Sequence, residues 1–446
     1  MKWVKRGALA FGIVLAVLAL LPLFFSLDDY IPYIEREASA KLKEPVKIER
    51  LGASFLPVPQ LTVNGITVGK ARDVKVGRVT VTPHLLSLLG SVKTIRSIEI
   101  EDLVLADAAF EKIPLWTQGG ASKEGPQVRI DKVRVDGAIV HLGKTKVGPL
   151  DATIIMAASG EPQEAVISTR DGALKANVTP RQGSYLIEVH AKSWKLPLGP
   201  PIHFDELKMQ GVATTQDLNA KELSARLYGG TVRGNAALRW QKGLQLSGRF
   251  DVQQVELKDL VPLLSPGTRL SGRLNAKPVL SARAASAAQL AGTLRLETPF
   301  NIQNGVLYGV DIQKAATRII SKEPTGGETR FDELSGHLPL ERGAYRFTQL
   351  KIASGALAAS GNVTIAQNKE LSGRISAEVK AASIASASVP LNVSGTVQNP
   401  VVLPTGGTVA GAAVGTAILG PGVGTTLGAK VGEWTEGLFG KKEPKR

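Results

Sequence analysis

The residue types that usually carry catalysis occur in this sequence but are not grouped by spacing. The five histidines are scattered with no close pair, and cysteine is absent. The zinc-protease spacing His-Glu-x-x-His and the serine-hydrolase turn Gly-x-Ser-x-Gly are both missing. The sequence therefore predicts no catalytic residue, no metal ligand and no cofactor, and indicates that the protein is not an enzyme.

Two weaker patterns resemble known sites but fail on their context. Gly143-Lys144-Thr145 reads like the end of a phosphate-binding loop, yet residue 138, where the first glycine is needed, is alanine. Acidic pairs such as Glu101-Asp102 are adjacent, and adjacent residues of a strand point to opposite faces. We expect these acidic residues to be solvated surface.

Composition favours many short strands and turns over long helices. Hydrophobic residues make up 43% of the chain, while 47 glycines and 25 prolines supply turns and few aromatics are present. The formal net charge of +15 is compatible with nucleic acid, anionic lipid headgroups or acidic glycolipids as partners.

The N-terminal segment predicts a membrane anchor. Residues 7–25 carry no charge, three basic residues precede them, and Asp28 and Asp29 follow. This length spans a bilayer, and the charge asymmetry places the N-terminus in the cytoplasm and the bulk of the chain outside it. A cleaved signal peptide is the alternative, but the exit Phe24-Phe25-Ser26 lacks a small-x-small site. A basic surface outside the cytoplasm argues against nucleic acid.

A short helix is predicted after this anchor. Residues 28–42 place Ile31, Ile34, Ala38 and Leu42 on one face, and the helix should end near Glu44-Pro45.

From Val46 onward the dominant pattern is apolar-x-apolar-x-x-apolar-x-apolar. A bulge or sheet corner at the two middle residues would return both halves to one face, although Asn64-Gly65 could instead form a tight hairpin turn. Such stripes are either the core of stacked sheets or the lining of a groove that shelters acyl chains. The three copies nearest the anchor, termed here the twelve-residue patch, are the candidate lipid groove: Leu61, Val63, Ile66, Val68, Val74, Val76, Val79, Val81, Ile98, Ile100, Leu103 and Leu105.

A second repeat has the form Leu-Ser-Gly. It occurs at residues 246–248, 270–272, 334–336 and 371–373. Glycine within a strand marks a bulge or bend, so the repeat predicts curvature along a sheet.

In these segments the sequence resembles the AsmA family. The N-terminal resemblance runs from the anchor through LTVNGITVG to the Ile-rich pair IEIEDLVL, whereas residues 111–222 carry little that matches. The C-terminal resemblance lies in LYGGTVRGNAAL (227–238), FNIQNGVLYGVDIQKAATRII (300–320), the segment 331–365, and LNVSGTVQNPVVLP (391–404).

The resemblance implies a mainly β fold: an elongated, curved antiparallel β-sheet trough with a few short helices, preceded by one N-terminal transmembrane helix. It implies a single-pass inner-membrane protein with its bulk in the periplasm and a role in outer-membrane homeostasis, binding or conducting phospholipid along an apolar β-groove. The alternative is a non-enzymatic scaffold that docks proteins of outer-membrane biogenesis. Membrane phospholipids, and in the alternative those proteins, are the expected partners.

Five regions are expected along the chain. They are the cytoplasmic tip and anchor (1–26), an N-terminal AsmA-like β region (27–115), a middle β region (116–222), a C-terminal AsmA-like β region (223–404) and a Gly/Ala-rich tail (405–446).

The tail has glycines at fourfold spacing. Gly411, Gly415, Gly424 and Gly428 would lie on one helix face and permit close packing in a helical hairpin that contacts a membrane or self-associates. A flexible linker is the alternative.

Overall fold

Alternating apolar residues form strands over most of the chain. The computed structural model describes residues 27–90, 92–109, 127–142, 145–197, 199–241, 243–317, 326–379 and 388–405. Within these ranges the protein is mainly β with short helices, so the predicted fold class is confirmed at that level. The chain divides into two compact units. Unit 1 comprises Met1–Leu198 and Gln210–Thr215, and unit 2 comprises Gly199–Met209 and Gln216–Arg446.

Unit 1 begins with the predicted helix. A 3-10 turn at Asp28–Tyr30 leads into helix α1, Ile31–Leu42, which has proline in its first turn and ends at Lys43 with a left-handed φ of 54°. The strands that follow are β1 Val46–Lys47, β2 Arg50–Ser54, β3 Gln60–Val68, β4 Val74–Pro83, β5 Val92–Leu105, β6 Gln127–Ile130, β7 Lys132–Leu142, β8 Thr145–Met156, β9 Pro162–Thr169, β10 Leu174–Arg181 and β11 Ser184–Lys195.

Strand direction differs from the prediction at one place in unit 1. Both β6 and β7 run parallel to β5, whereas an antiparallel sheet was expected. A parallel pair needs a crossover of a dozen or more residues, and residues 106–126 supply that length between β5 and β6. Alternation reports which face a side chain occupies and carries no information on strand direction, so the sequence pattern missed this step.

Helix α1 closes the open edge beside β1 and β2. Three backbone N–H groups on or beside β1 and β2 donate to side chains of α1 and of the 3-10 turn before it. The bonds are Val46 to Ser39 Oγ (2.9 Å), Ile48 to Glu35 Oε1 (2.9 Å) and Leu51 to Asp28 Oδ1 (2.9 Å). An edge strand otherwise presents unpaired backbone groups.

Strand β12, His203–Ala213, contributes residues to both units. In unit 2 the strands are β13 Asp217–Leu227, β14 Gly230–Arg239, β15 Leu244–Glu256, β16 Arg273–Ala276, β17 Val279–Ala284, β18 Arg295–Tyr308, β19 Glu328–Glu341, β20 Ala344–Ala353, β21 Leu357–Ile365, β22 Leu371–Val379, β23 Ser388–Gly395 and β24 Pro400–Pro404. Successive strands from β13 to β24 pair antiparallel, except that β16 and β17 share one place between β15 and β18.

Short helices in unit 2 lie at the turns between strands. Helix α2, Leu257–Leu264, follows β15; helix α3, Ala287–Leu290, and a 3-10 turn at Ala291–Thr293 follow β17; helix α4, Ile312–Thr317, follows β18. A further 3-10 turn, Leu85–Leu89, joins β4 to β5 in unit 1. None of the helices in the described ranges has the length and apolar character needed to cross a membrane. The predicted anchor, residues 1–26, lies outside the described residues.

Candidate functional site: a half-buried apolar face

The register of β3, β4 and β5 brings all twelve residues of the patch together. Residues that pair directly across strands share one face of a sheet. The pairing aligns four rows of three residues, each row crossing from β3 through β4 to β5: Leu61–Val81–Ile98, Val63–Val79–Ile100, Ile66–Val76–Leu103 and Val68–Val74–Leu105.

A residue in the left-handed conformation keeps both halves of the pattern on one face. Strand β3 runs unbroken through Asn64 and Gly65, so the alternative of a hairpin turn there is wrong. Gly65 has φ of 64°, and Asp102 in the matching position of β5 has φ of 54°. These kinks confirm the predicted corner. In both β3 and β4, two residues separate the two apolar pairs of the pattern. The pairing of β3 with β4 therefore has the same register on both sides of the kink.

In three other strands the kink is a true bulge with a side-chain cap. In each of the strands β7, β15 and β20, two consecutive residues face a single residue of the next strand. The second residue of each pair has positive φ. The backbone N–H of that left-handed residue donates to a side-chain oxygen of the single facing residue. The three bonds are Gly137 to Asp151 (2.8 Å), Gln254 to Asn275 (3.1 Å) and Gln349 to Asn362 (3.0 Å).

Helix α1 covers only one end of the patch. Val68 and Val74 are buried with Val46 and Ala109, and Ile66, Val76, Leu103 and Leu105 pack against them beside Ala38 and Leu42 of α1. The other six residues, Leu61, Val63, Val79, Val81, Ile98 and Ile100, belong to no buried cluster of the described residues and stay half-buried or exposed.

Two threonines on the opposite face of β4 are more covered than this open part of the patch. Thr80 and Thr82 are only 9% and 7% exposed, whereas the apolar side chain of Leu61 is 38% exposed. Burying hydroxyls while leaving valine, isoleucine and leucine accessible reverses the usual preference. At this end of β4 the two threonines are therefore better covered than the apolar Leu61.

The half-buried apolar surface continues across unit 1. One unbroken row of directly paired residues crosses eight strands, and every member is half-buried: Val63, Val79, Ile100, Val135, Ala152, Ile167, Ala176 and Val189. A contiguous apolar surface of this extent is unusual on a soluble monomer and marks a binding surface or an interface.

Unit 2 has two packed hydrophobic clusters, at the strand ends that lie next to helices α2 and α4. Helix α2 contributes Leu257 and Leu260 to a cluster that includes Phe300 and Phe331. Phe300 stands edge-to-face with Phe347, at a centroid distance of 6.1 Å. Helix α4 contributes Ile312, Ala315 and Ala316 to a second cluster, on β21 to β24.

The opposite strand ends of unit 2 carry a second half-buried row. It crosses six strands and belongs to neither cluster: Leu280, Leu296, Leu340, Tyr345, Ile365 and Leu371.

The glycines of the Leu-Ser-Gly repeat make room for aromatic rings as well as bends. A Cβ on Gly248 would stand 2.8 Å from the ring of Phe250, and one on Gly234 across the strand pair would stand 2.6 Å from the same ring. Gly272, by contrast, has φ of 118° and does bend the chain. The predicted curvature thus holds at one glycine, while Gly248 makes room for the half-buried ring of Phe250.

Among the described titratable groups, the Glu35 carboxyl has a clearly shifted pKa. Burial raises the pKa of the Glu35 carboxyl, but hydrogen bonds from the Ile48 backbone and the Lys47 ammonium outweigh it, so the pKa is lowered overall. Within the described ranges, no three His, Asp or Glu side chains converge as a metal site would need. The tail glycines Gly411, Gly415, Gly424 and Gly428 lie outside those ranges.

The fold and this face define a mainly β protein with an extended, half-buried apolar sheet surface. The sequence matches the model of the AsmA family over residues 124–350, just over half its length, so the chain belongs to the AsmA family. The match includes most of the middle region that showed little resemblance by motif, and it leaves out the strands of the twelve-residue patch. No curated protein and no solved structure matches the chain.

Proposed function

We propose that this protein binds phospholipid acyl chains on its half-buried apolar face and conducts them along a β-sheet trough, without catalysis. The observation that carries the proposal is the eight-strand row from Val63 to Val189, which is apolar throughout and nowhere fully covered by described residues. Family membership is consistent with a role in outer-membrane homeostasis.

The chemistry of the two faces suits an amphipathic ligand. Acyl chains gain about 0.8 kcal/mol for each methylene removed from water, so even a short stretch of chain on this row has a substantial driving force. Lysine, arginine and glutamate alternate with the apolar residues and face the other way, and Lys75 and Arg78 of β4 are exposed there. In this proposal residues 1–26 anchor the chain in the inner membrane and its bulk lies in the periplasm.

A protein-docking scaffold is the second candidate. The clusters beneath α2 and α4 are packed as ordinary cores, which is what a scaffold needs. It would use the same exposed apolar surface to hold outer-membrane biogenesis proteins.

Photo-crosslinking separates these functions. The full-length chain would carry p-benzoylphenylalanine in place of Leu61, whose side chain is exposed on the apolar face. The matched control replaces Arg78, which is exposed on the other face of β4. After irradiation in intact cells, mass spectrometry should find phospholipid adducts at position 61 and none at 78.

Other adducts would decide against lipid binding. Adducts to a second protein at position 61 would favour the scaffold. Adducts only within the chain itself would mean that the patch is covered core.

A further inference from the structure

Unit 2 contains a cavity lined by four arginines on strand ends that lie away from α2 and α4. Its volume is about 800 Å³, and Arg239, Arg283, Arg295 and Arg342 all line it. Arg239 and Arg283 come from the ends of β14 and β17, Arg295 begins β18, and Arg342 lies in the turn after β19. The antiparallel order brings these positions to one edge. The alternating pattern of these strands does not predict the cavity, because in the sequence each arginine reads as a single surface residue.

The cavity lies where two strands separate. Strand β17 pairs with β18 only at Val279–Ser281 and then continues without that partner to Ala284. The chain returns through the 3-10 turn, whose Gly292 and Thr293 also line the cavity. A gap between neighbouring strands gives a ligand access to side chains and backbone together.

The charge of the cavity is not balanced by its own lining. No carboxylate stands among its lining residues. Arg295 pairs with Glu341 at 3.2 Å, and Arg283 reaches Gln245 at 3.5 Å, whereas Arg239 and Arg342 have no partner among the described residues. Gathering guanidinium groups with one acid between them is unfavourable unless an anion joins them.

Arg342 occupies a costly backbone position at this cavity. It and Gly343 are the two central residues of the β19–β20 hairpin, with φ of 50° and 76°. Such turns prefer Asn, Asp or Gly in the first position, since a Cβ is strained there and only the short polar side chains of Asn and Asp offset this by local hydrogen bonds. Strain of this kind persists where the side chain has a role.

We propose that this cavity binds a phosphate-bearing anion. Guanidinium forks match phosphate oxygens in bidentate geometry, and the hydroxyls of Ser247, Ser281 and Thr293 add neutral donors. The volume is that of a small-molecule site and leaves room for an organic group beside the phosphate. The half-buried row through Leu296 and Leu340 lies at the same strand ends but on the other face of the sheet, since Arg295 and Leu296 are adjacent in β18. A phospholipid headgroup carries such a phosphate. A soluble phosphate compound has the same recognition chemistry.

Binding of pyrophosphate to the full-length chain in a neutral detergent tests the site. The variant Arg239→Gln/Arg342→Asn removes the two unpaired charges, and asparagine should fit the hairpin turn better than arginine does. Isothermal titration calorimetry at physiological ionic strength should show binding weakened by about tenfold or more, because two charge-assisted bonds to the anion are lost. The control Arg249→Gln removes an exposed arginine of β15 outside the cavity and should leave affinity within about twofold.

Nanodiscs of phosphatidylglycerol, compared with phosphatidylcholine, identify the source of the phosphate. Loss of phosphatidylglycerol binding in the double variant assigns the site to a lipid headgroup. Loss of pyrophosphate binding alone assigns it to a soluble phosphate compound. No pyrophosphate binding by the unaltered chain, or equal weakening in Arg249→Gln, would overturn the proposal. This result is independent of acyl-chain binding, which the crosslink at position 61 measures.

Discussion

The side-chain oxygen of Asn362 on β21 accepts a 3.0 Å hydrogen bond from the backbone N–H of Gln349 on β20. Gln349 is the left-handed residue of its bulge, with φ of 53°, and Asn362 is the single residue facing the two bulged ones. The same relationship recurs between Gln254 and Asn275, and between Gly137 and Asp151. In these three bulges the backbone N–H of the left-handed residue is thus satisfied by a short side chain opposite.

Removal of this cap should destabilise unit 2. Asn362→Ala leaves the Gln349 N–H without its protein partner, and we expect about 1 kcal/mol of lost stability because the site is exposed and water replaces part of the bond. Asn362→Asp should retain stability, since Asp151 fills the same role in unit 1. Urea unfolding followed by circular dichroism measures both.

The control for the cap is Asn392→Ala. Asn392 is exposed on β23, and its side chain has no hydrogen-bond partner among the described residues. Equal losses for Asn362→Ala and Asn392→Ala would show that the cap contributes nothing beyond strand propensity.

Replacement of two residues of β5 by glycine should have opposite effects. Asp102 is held at φ of 54°, a conformation that costs an L-residue about 1–2 kcal/mol, so Asp102→Gly should stabilise by up to about 1 kcal/mol. Glu99 pairs regularly with Thr80, and Glu99→Gly should destabilise by about 0.5–1 kcal/mol. Thermal denaturation of the two variants gives the signs. A loss of stability in both would argue against strain at Asp102.

The apolar-x-apolar-x-x-apolar-x-apolar pattern predicted the patch because side-chain alternation and a one-residue offset are local properties of the chain. Val79 and Ile100 follow from it without any knowledge of neighbours. The parallel pairing of β5 with β7 does not, since it depends on where the chain returns after residue 105. Likewise, Arg239 and Arg342 lie more than a hundred residues apart, and only strand order brings them to one cavity. The three bulge caps leave only a weak trace in the sequence. Asn or Asp stands opposite each of these bulges, but the sequence does not show which residues face each other until the strand register is known.

Acid should loosen the contact between α1 and the edge formed by β1 and β2. Glu35 accepts bonds from the Ile48 backbone and from Lys47, and these lower its pKa in the folded protein below its ordinary 4.5 despite partial burial. A lowered folded pKa means that this carboxylate stabilises the fold above pH 4.5, and that the contribution is lost as pH falls through the folded pKa.

Hydrogen exchange detects this loss locally. Corrected for intrinsic rates, protection of residues 46–51 should fall as pH drops from 6 towards 3, and Glu35→Gln should show reduced protection already at pH 6. Glu37→Gln, an exposed change on the same helix, should behave like the unaltered chain. Unchanged protection in Glu35→Gln would mean that Ser39 and Asp28 hold the edge without it.

The two halves of β4 give the sharpest test of whether the apolar face binds lipid or is ordinary core. Val74 is 7% exposed in the cluster beneath α1, so Val74→Asp should cost about 3 kcal/mol or more and unfold this region. Val79 lies in the uncovered half, where an aspartate keeps access to water, and Val79→Asp should leave a folded protein. If acyl chains occupy this face, phospholipid that co-purifies with the full-length chain should fall severalfold in Val79→Asp and remain in Val79→Thr, which keeps the shape without a charge. A folded Val79→Asp protein with undiminished lipid would remove the face from the lipid path. An unfolded one would mean that Val79 packs as core, as Val74 does.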